Sequence, residues 1–351
     1  MSGFLGMLNY ASGGAPTPGN SQYIAYSGSA SAGATVGVFP WSSASGFGTV
    51  YSNPAAIASI TIQQVSFAKN NSAIAVSFSV SPYLYAWPWS ASGYGTQYAN
   101  PSSPLNPTGT PGGFVWTEAV DALITSNQPP ISFPQAWAWS SASGFGTKYA
   151  NGTAIINTGA GVGGVSLNGD NSLVAFNFSS APSVRLYPWS SASGFGTAYS
   201  NPSTGFTGNT ARQRISFNKV TNDLALGTAL NPYITAYAVS SSGFGSKYAN
   251  PVLDNVPKNS IEFNSDGTYL AVGTGDTTPI FVYPWSSGFG ARIFSPTSTS
   301  ASTVNWSSTG SEIAKNGTPI NAWPWSAGFG TQYANPSLSA STPNCVSFSD
   351  K

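Results

Sequence analysis

Ten carboxylates are the first residues in this chain able to do chemistry: Glu118, Asp121, Asp170, Asp223, Asp254, Glu262, Asp266, Asp276, Glu312 and Asp350. A positioned carboxylate is a general acid or base, but these ten are scattered and share no motif. Several, Asp170 and Asp266 among them, fall in predicted turns, where capping the turn is the simpler role. Histidine is absent altogether. That removes the usual general base, every Ser-His-Asp triad and every histidine metal site. Cys345, the single cysteine, can build neither a zinc cluster nor an internal disulfide. The glycine-rich stretch GAGVGG (159–164) lacks the strand-to-helix context of a phosphate loop. The residues themselves thus point to a non-enzymatic protein with no cofactor and no metal.

Repetition dominates what remains. The phrase YPWSSASGFGTAYSNP (187–202) has near-copies whose glycine-flanked aromatics are Phe47, Tyr94, Phe145, Phe195, Phe244, Phe289 and Phe329, spaced 40 to 51 residues apart. Each copy opens on aromatic-x-Trp, as in Tyr187-Pro188-Trp189, except the fifth, which reads Tyr237-Ala238-Val239. Between copies lies a weaker phrase, clearest in VSFAKNNSAIAVS (65–77), VSLNGDNSLVAFN (165–177), ISFNKVTNDLALGT (215–228), IEFNSDGTYLAVGT (261–274) and VNWSSTGSEIAKNG (304–317). This is apolar alternation broken by a polar turn, hence two strands. The strong phrase adds a third strand ending at the tryptophan and a fourth beyond the glycines. Four strands per repeat of this length is the pattern of a propeller blade.

The ends predict how the ring closes. The chain finishes on CVSFSDK, a lone first strand, and after a leader begins on QYIAYSG and VGVFPWS, a second and third strand. Pairing them leaves no free sheet edge. The fold expected is all-β: one seven-bladed β-propeller over residues 21–351, with four-stranded antiparallel blades closed by the C-terminal strand on the N-terminal blade. Arg212 and Arg214 precede a first strand and could face the central channel, although solvated or loop-anchoring roles fit equally. Clustered carboxylates or arginines in that channel are what an enzymatic reading would need.

Residues 1–20 are expected to form an extended arm, since Gly13, Gly14, Pro16, Pro18 and Gly19 oppose a helix. Its apolar residues Phe4, Leu5, Met7, Leu8 and Tyr10 suit an anchoring peg. Charged residues are 6% of the chain and the net charge is +1, so no basic stripe draws nucleic acid and none draws an anionic membrane. No stretch approaches the ~20 apolar residues of a membrane-spanning helix. The aromatics of the repeat are expected to pack between blades. The ring of near-identical turns carrying Phe47, Tyr94, Phe145, Phe195, Phe244, Phe289 and Phe329 is the candidate contact surface, where weak contacts would add.

At APSVRLYPWS and IEFNSDGTYLAVGT the chain resembles WD-repeat proteins, although Pro-Trp-Ser stands where that family has Trp-Asp. The fuller phrase, Pro-Trp-Ser-x-Gly-Phe-Gly-Thr-x-Tyr-x-Asn-Pro, resembles WD-like propellers of tailed bacteriophages. The resemblance implies a non-enzymatic virion protein, located on the particle and docked to capsid, portal or tail components. The alternative is a multivalent lectin-like propeller, with host surface glycans as partners.

Overall fold

The computed structural model describes residues 22–30, 33–54, 57, 62–79, 81–101, 111–127, 134–152, 162–178, 183–202, 215–228, 231–251, 258–274, 280–296, 301, 303–338 and 342–350. Seven antiparallel sheets follow one another around a ring, and the described residues contain no helix. Blade 1 is the closure predicted above. Thr342–Phe348 pairs with Gln22–Ala30, which continues into Gly33–Ser42 and Gly46–Phe47. Its register sets Ile24 opposite Phe348 and Tyr26 opposite Val346. The Ser349 amide donates to the Tyr23 carbonyl (2.9 Å), and the Tyr23 amide donates to Ser349 Oγ (2.8 Å).

Blade 2 (Ile62–Phe67, Ala73–Phe78, Leu84–Ser90, Gly93–Tyr94) shows the common plan, repeated in blades 3 to 6. Blade 7 has three strands, Val304–Trp306, Glu312–Lys315 and Asn321–Pro324, and a single bridge, Trp325 to Phe329, where the fourth would be. Blade 3 contains a hairpin that sequence patterning does not signal, Pro111–Trp116 with Ala122–Asn127. Its connecting turn has no Asp-Gly or Asn; Val120 instead takes a φ of 55°, rare for a β-branched residue.

Strand alternation sorts side chains by size. In blade 2, Ile74, Val76, Trp87 and Trp89 face blade 1, while Ala73, Ala75, Leu84 and Ala86 face blade 3. A large face nests on a smaller one at the blade 2–3 junction, and each of the seven buried clusters draws on two adjacent blades. Period-two alternation is sufficient to produce this.

The outer hairpin uses its glycines in two ways. Gly194 has a φ of +80°, and a Cβ there would sit 3.1 Å from the Tyr149 ring of the preceding blade. Gly196 has no such φ; a side chain there would press on Pro188 at 3.0 Å. One glycine is needed for conformation and its neighbour for space. Tyr149 then donates its hydroxyl to the Ser191 carbonyl (2.6 Å), and Tyr51, Tyr98, Tyr199 and Tyr333 make the same bond to Ala91, Ser141, Ser241 and Ser43. Five of the seven copies thereby latch onto the next; Tyr248 donates to Asp223 instead, and Phe294 has no hydroxyl.

Candidate active site in the central channel

The innermost strand of each blade has no neighbour on its channel side, so its inward amides need other acceptors. Side chains of the preceding blade provide them. Ser166 Oγ accepts from the Phe217 amide, Ser216 Oγ from Phe263 and Ser260 Oγ from Val304, each at 3.0 Å. Gln64 exchanges two bonds with the Phe114 backbone (3.0 Å each). At blade 7, Asn305 Oδ1 accepts from the Phe348 amide (2.6 Å), and its Nδ2 donates to both carboxylate oxygens of Glu262 (2.9 Å each). A serine that accepts this way still carries a hydroxyl proton to donate into the channel.

Two residues beyond the end of each inner strand, the seven blades present Asp350, Lys69, Glu118, Gly169, Lys219, Ser265 and Ser308 in order around the ring. Four of these equivalent positions are charged. Lys69 pairs with Asp350 (3.3 Å) across blades 2 and 1. Lys219 pairs with Glu118, spanning blade 4 between them. That span depends on Gly169, where an added Cβ would lie 2.0 Å from the Lys219 carbonyl oxygen. Both ion pairs among the described residues lie on this rim, half-exposed to the channel. The cavity they border measures about 450 Å³ and is lined by the inner strands of all seven blades, Glu262 included.

Burial in the channel wall pushes the Glu262 carboxyl up to about 7, against the opposing pull of Asn305, Lys69 and Lys219. Burial alone would lower Lys69, but Asp350, Glu118 and Glu262 outweigh it and hold the ammonium above its ordinary value. Lys219 moves the other way, lowered by burial and by Lys69. Glu118 sits low because Lys69 and Lys219 overcome its burial. The channel thus holds a carboxyl near half-ionisation at neutral pH, two ammonium groups and a set of hydroxyls.

The other candidate residues lie elsewhere. Asp170 and Asp266 cap their turns as expected, each bonded to an amide and a hydroxyl, of Ser172 and Thr268 respectively. Asp121 accepts from Thr117 Oγ1 (2.7 Å). Asp223 is buried at the blade 5–6 junction, accepting from Trp285 Nε1 (2.9 Å) and the Tyr248 hydroxyl (2.7 Å). Glu312 accepts from Ser311 Oγ (2.8 Å). Phe47, Tyr94, Phe145, Phe195, Phe244, Phe289 and Phe329 are half-buried, and six of them pack edge-on against the tryptophan of their own copy. Asp254, Asp276, Arg212, Arg214 and the arm residues Phe4, Leu5, Met7, Leu8 and Tyr10 fall outside the described residues. Lys69 and Lys219 escaped sequence reasoning. The signal was their shared offset after the first strand, readable once the blades are aligned.

No family model matches the sequence, and no curated protein matches it. Solved structures do match the fold. The periplasmic gluconolactonase of Pseudomonas aeruginosa aligns over 94% of this chain and 99% of its own at 12% identity and a TM-score of 0.69. A putative 6-phosphogluconolactonase of Bacteroides fragilis aligns over 95% and 100% at 11% identity and 0.70. Another from Bacteroides uniformis aligns over 94% and 99% at 13% and 0.69. The likeness at this identity is one of fold. It corrects the expectation drawn from the repeat phrase. The structural neighbours are described as enzymes and point to neither a phage nor a WD-repeat origin. The channel also carries three carboxylates, Glu118, Glu262 and Asp350, on the wall of one cavity. The non-enzymatic virion protein and its lectin-like alternative are set aside, and the seven-bladed propeller stands.

Proposed function

We propose that the protein is a hydrolase of polyhydroxylated lactones, acting in the central channel. One observation carries this reading: Glu262, pushed up to about 7, lines the same cavity as the rim lysines Lys69 and Lys219. A carboxyl poised near the working pH is the favourable case for general base catalysis. Glu262 takes a proton from water as the water oxygen attacks the lactone carbonyl carbon. Negative charge then develops on the carbonyl oxygen, where an ammonium group lowers the barrier. Collapse of the tetrahedral species breaks the ring C–O bond. The proton held by Glu262 passes to the departing alkoxide, which leaves a hydroxy acid. Ser66, Ser166, Ser216 and Asn305 line the cavity and suit a substrate rich in hydroxyl groups. The gluconolactonases that share the fold are consistent with this substrate class.

The test is acid release from glucono-δ-lactone in a pH-stat, measured above the spontaneous rate. The expected result is turnover rising through an inflection near pH 7, with Glu262→Gln slower by at least about a hundredfold. Absence of turnover across five- and six-membered sugar lactones, or an unaffected Glu262→Gln variant, would sink the reading.

A further inference from the structure

The last residue but one of each inner strand lines the channel cavity. It is serine in blades 1, 2, 4 and 5 and valine in blade 3. In the adjacent blades 6 and 7 it is Glu262 and Asn305. Ser166 and Ser216 show what the architecture asks of this position, since each hydroxyl accepts an amide of the next blade (3.0 Å each). Asn305 does the same work with Oδ1, which accepts from the Phe348 amide of the closing strand (2.6 Å). A serine is enough for that bond. The rest of the asparagine is surplus to it, and its Nδ2 donates to both carboxylate oxygens of Glu262 (2.9 Å each). The Phe348 N–H can only donate, so Oδ1 must face it, which leaves Nδ2 facing Glu262.

We infer that Asn305 is a positioning residue: it holds the Glu262 carboxylate in one orientation and is itself held by the strand that closes the ring. The inference rests on the role proposed above for Glu262. The charged groups that share the cavity with Glu262 are Lys69, Lys219, Glu118 and Asp350. Burial raises the Glu262 carboxyl, and Asn305 leads the influences that draw it down, ahead of Lys69, the Trp306 backbone and Lys219. Donation from Nδ2 favours the ionised form. The same contact therefore keeps the base available and fixes which way its oxygens point. Because Phe348 lies on Thr342–Phe348, two successive side-chain bonds join the strand that completes blade 1 to the base in blade 6.

Asn305→Ser tests the inference, because it keeps an acceptor for the Phe348 amide, as Ser166 and Ser216 do for theirs, and removes the donor to Glu262. The readout is an NMR titration of the full chain with isotope-labelled glutamate. Only Glu118, Glu262 and Glu312 then carry label, and Glu262 is assigned by its loss in Glu262→Gln. In Asn305→Ser the Glu262 titration is expected to move up from about 7. For glucono-δ-lactone, kcat should fall at least about tenfold with KM within about twofold. Ser166→Ala removes the equivalent bond in blade 4 and should lower the melting temperature while leaving the Glu262 titration in place. If Asn305→Ser fails to fold, Asn305→Asp decides: it has the same shape, keeps the acceptor and loses the donor, so the titration should again rise. A Glu262 titration unmoved by these Asn305 variants overturns the inference, and so does one moved equally by Ser166→Ala. The titration needs no substrate. Absence of lactone turnover would count against the proposed function alone, and the NMR result would still decide the role of Asn305.

Discussion

The outer hairpins and the inner strand ends belong to the same repeat, yet they diverge in opposite ways. Outside, Gly-Phe-Gly or Gly-Tyr-Gly recurs in all seven copies. Inside, the seven equivalent positions read Asp350, Lys69, Glu118, Gly169, Lys219, Ser265 and Ser308. Outer positions face one common problem, seating a ring edge-on against a tryptophan and a turn against the preceding blade's tyrosine. One solution recurs around the ring, departing at Val239, which replaces the tryptophan in blade 5, and at Phe294, which replaces the tyrosine ahead of blade 7. Inner positions face the channel, where packing does not dictate the residue and a site requires unlike groups side by side. Repetition marks what the architecture needs; inequality among equivalent positions marks where chemistry can be built.

That contrast is open to direct attack, and the largest effect should come from the outer set. Trp189→Ala removes a buried ring that packs against Tyr149 and Phe195. It should cost about 3–5 kcal/mol in denaturant unfolding, with lactone turnover retained by whatever fraction stays folded.

Next comes a pair of glycines in equivalent turns. Gly144 has a φ of +77° and would set a Cβ 2.7 Å from the Tyr98 side chain, so Gly144→Ala should destabilise by about 1–3 kcal/mol. At Gly328 nothing lies within 4 Å and Ala327 already carries the positive φ. Gly328→Ala should therefore stay within about 0.5 kcal/mol. Equal losses at both would show that the repeated glycines are not doing different work.

The third prediction concerns pH. Glu262 is raised from 4.5 to about 7, so between those values the folded chain binds more protons at this site than the unfolded chain does. Its contribution to stability is fully present below pH 4.5 and is lost as pH rises to 7. Glu262→Gln should flatten that slope in melting temperatures collected from pH 4 to 8. An unchanged slope would mean that the carboxyl is not held up by the channel.

Smallest in stability is Lys69→Ala. The ion pair with Asp350 is half-exposed, and such pairs are worth about 0–1 kcal/mol. Turnover should nonetheless drop at least tenfold, about the 1.4 kcal/mol of one lost electrostatic contact. A variant that loses stability but keeps its turnover would place Lys69 with the architecture rather than the chemistry.

Seven blades, their closure by the C-terminal strand and the inter-blade place of the aromatics were all legible from the sequence, because alternation, turn residues and repeat spacing act over a few residues at a time. The hairpin of blade 3 was not, since Val120 occupies a turn that carries no glycine or asparagine. With it went the significance of Glu118. The fold resemblance to gluconolactonases lay beyond a sequence only 11–13% identical to theirs.

Taken alone, the amino-acid order determined a wheel of like sheets, because every blade obeys the same short-range rules. What the tertiary structure decided was which unlike residues meet at the hub. Lys69 and Asp350 come from opposite ends of the chain and touch because the ring closes between them. Lys219 reaches Glu118 because Gly169 leaves its neighbour room. Those meetings depend on the register of whole blades around an axis, a long-range property that no local pattern encodes.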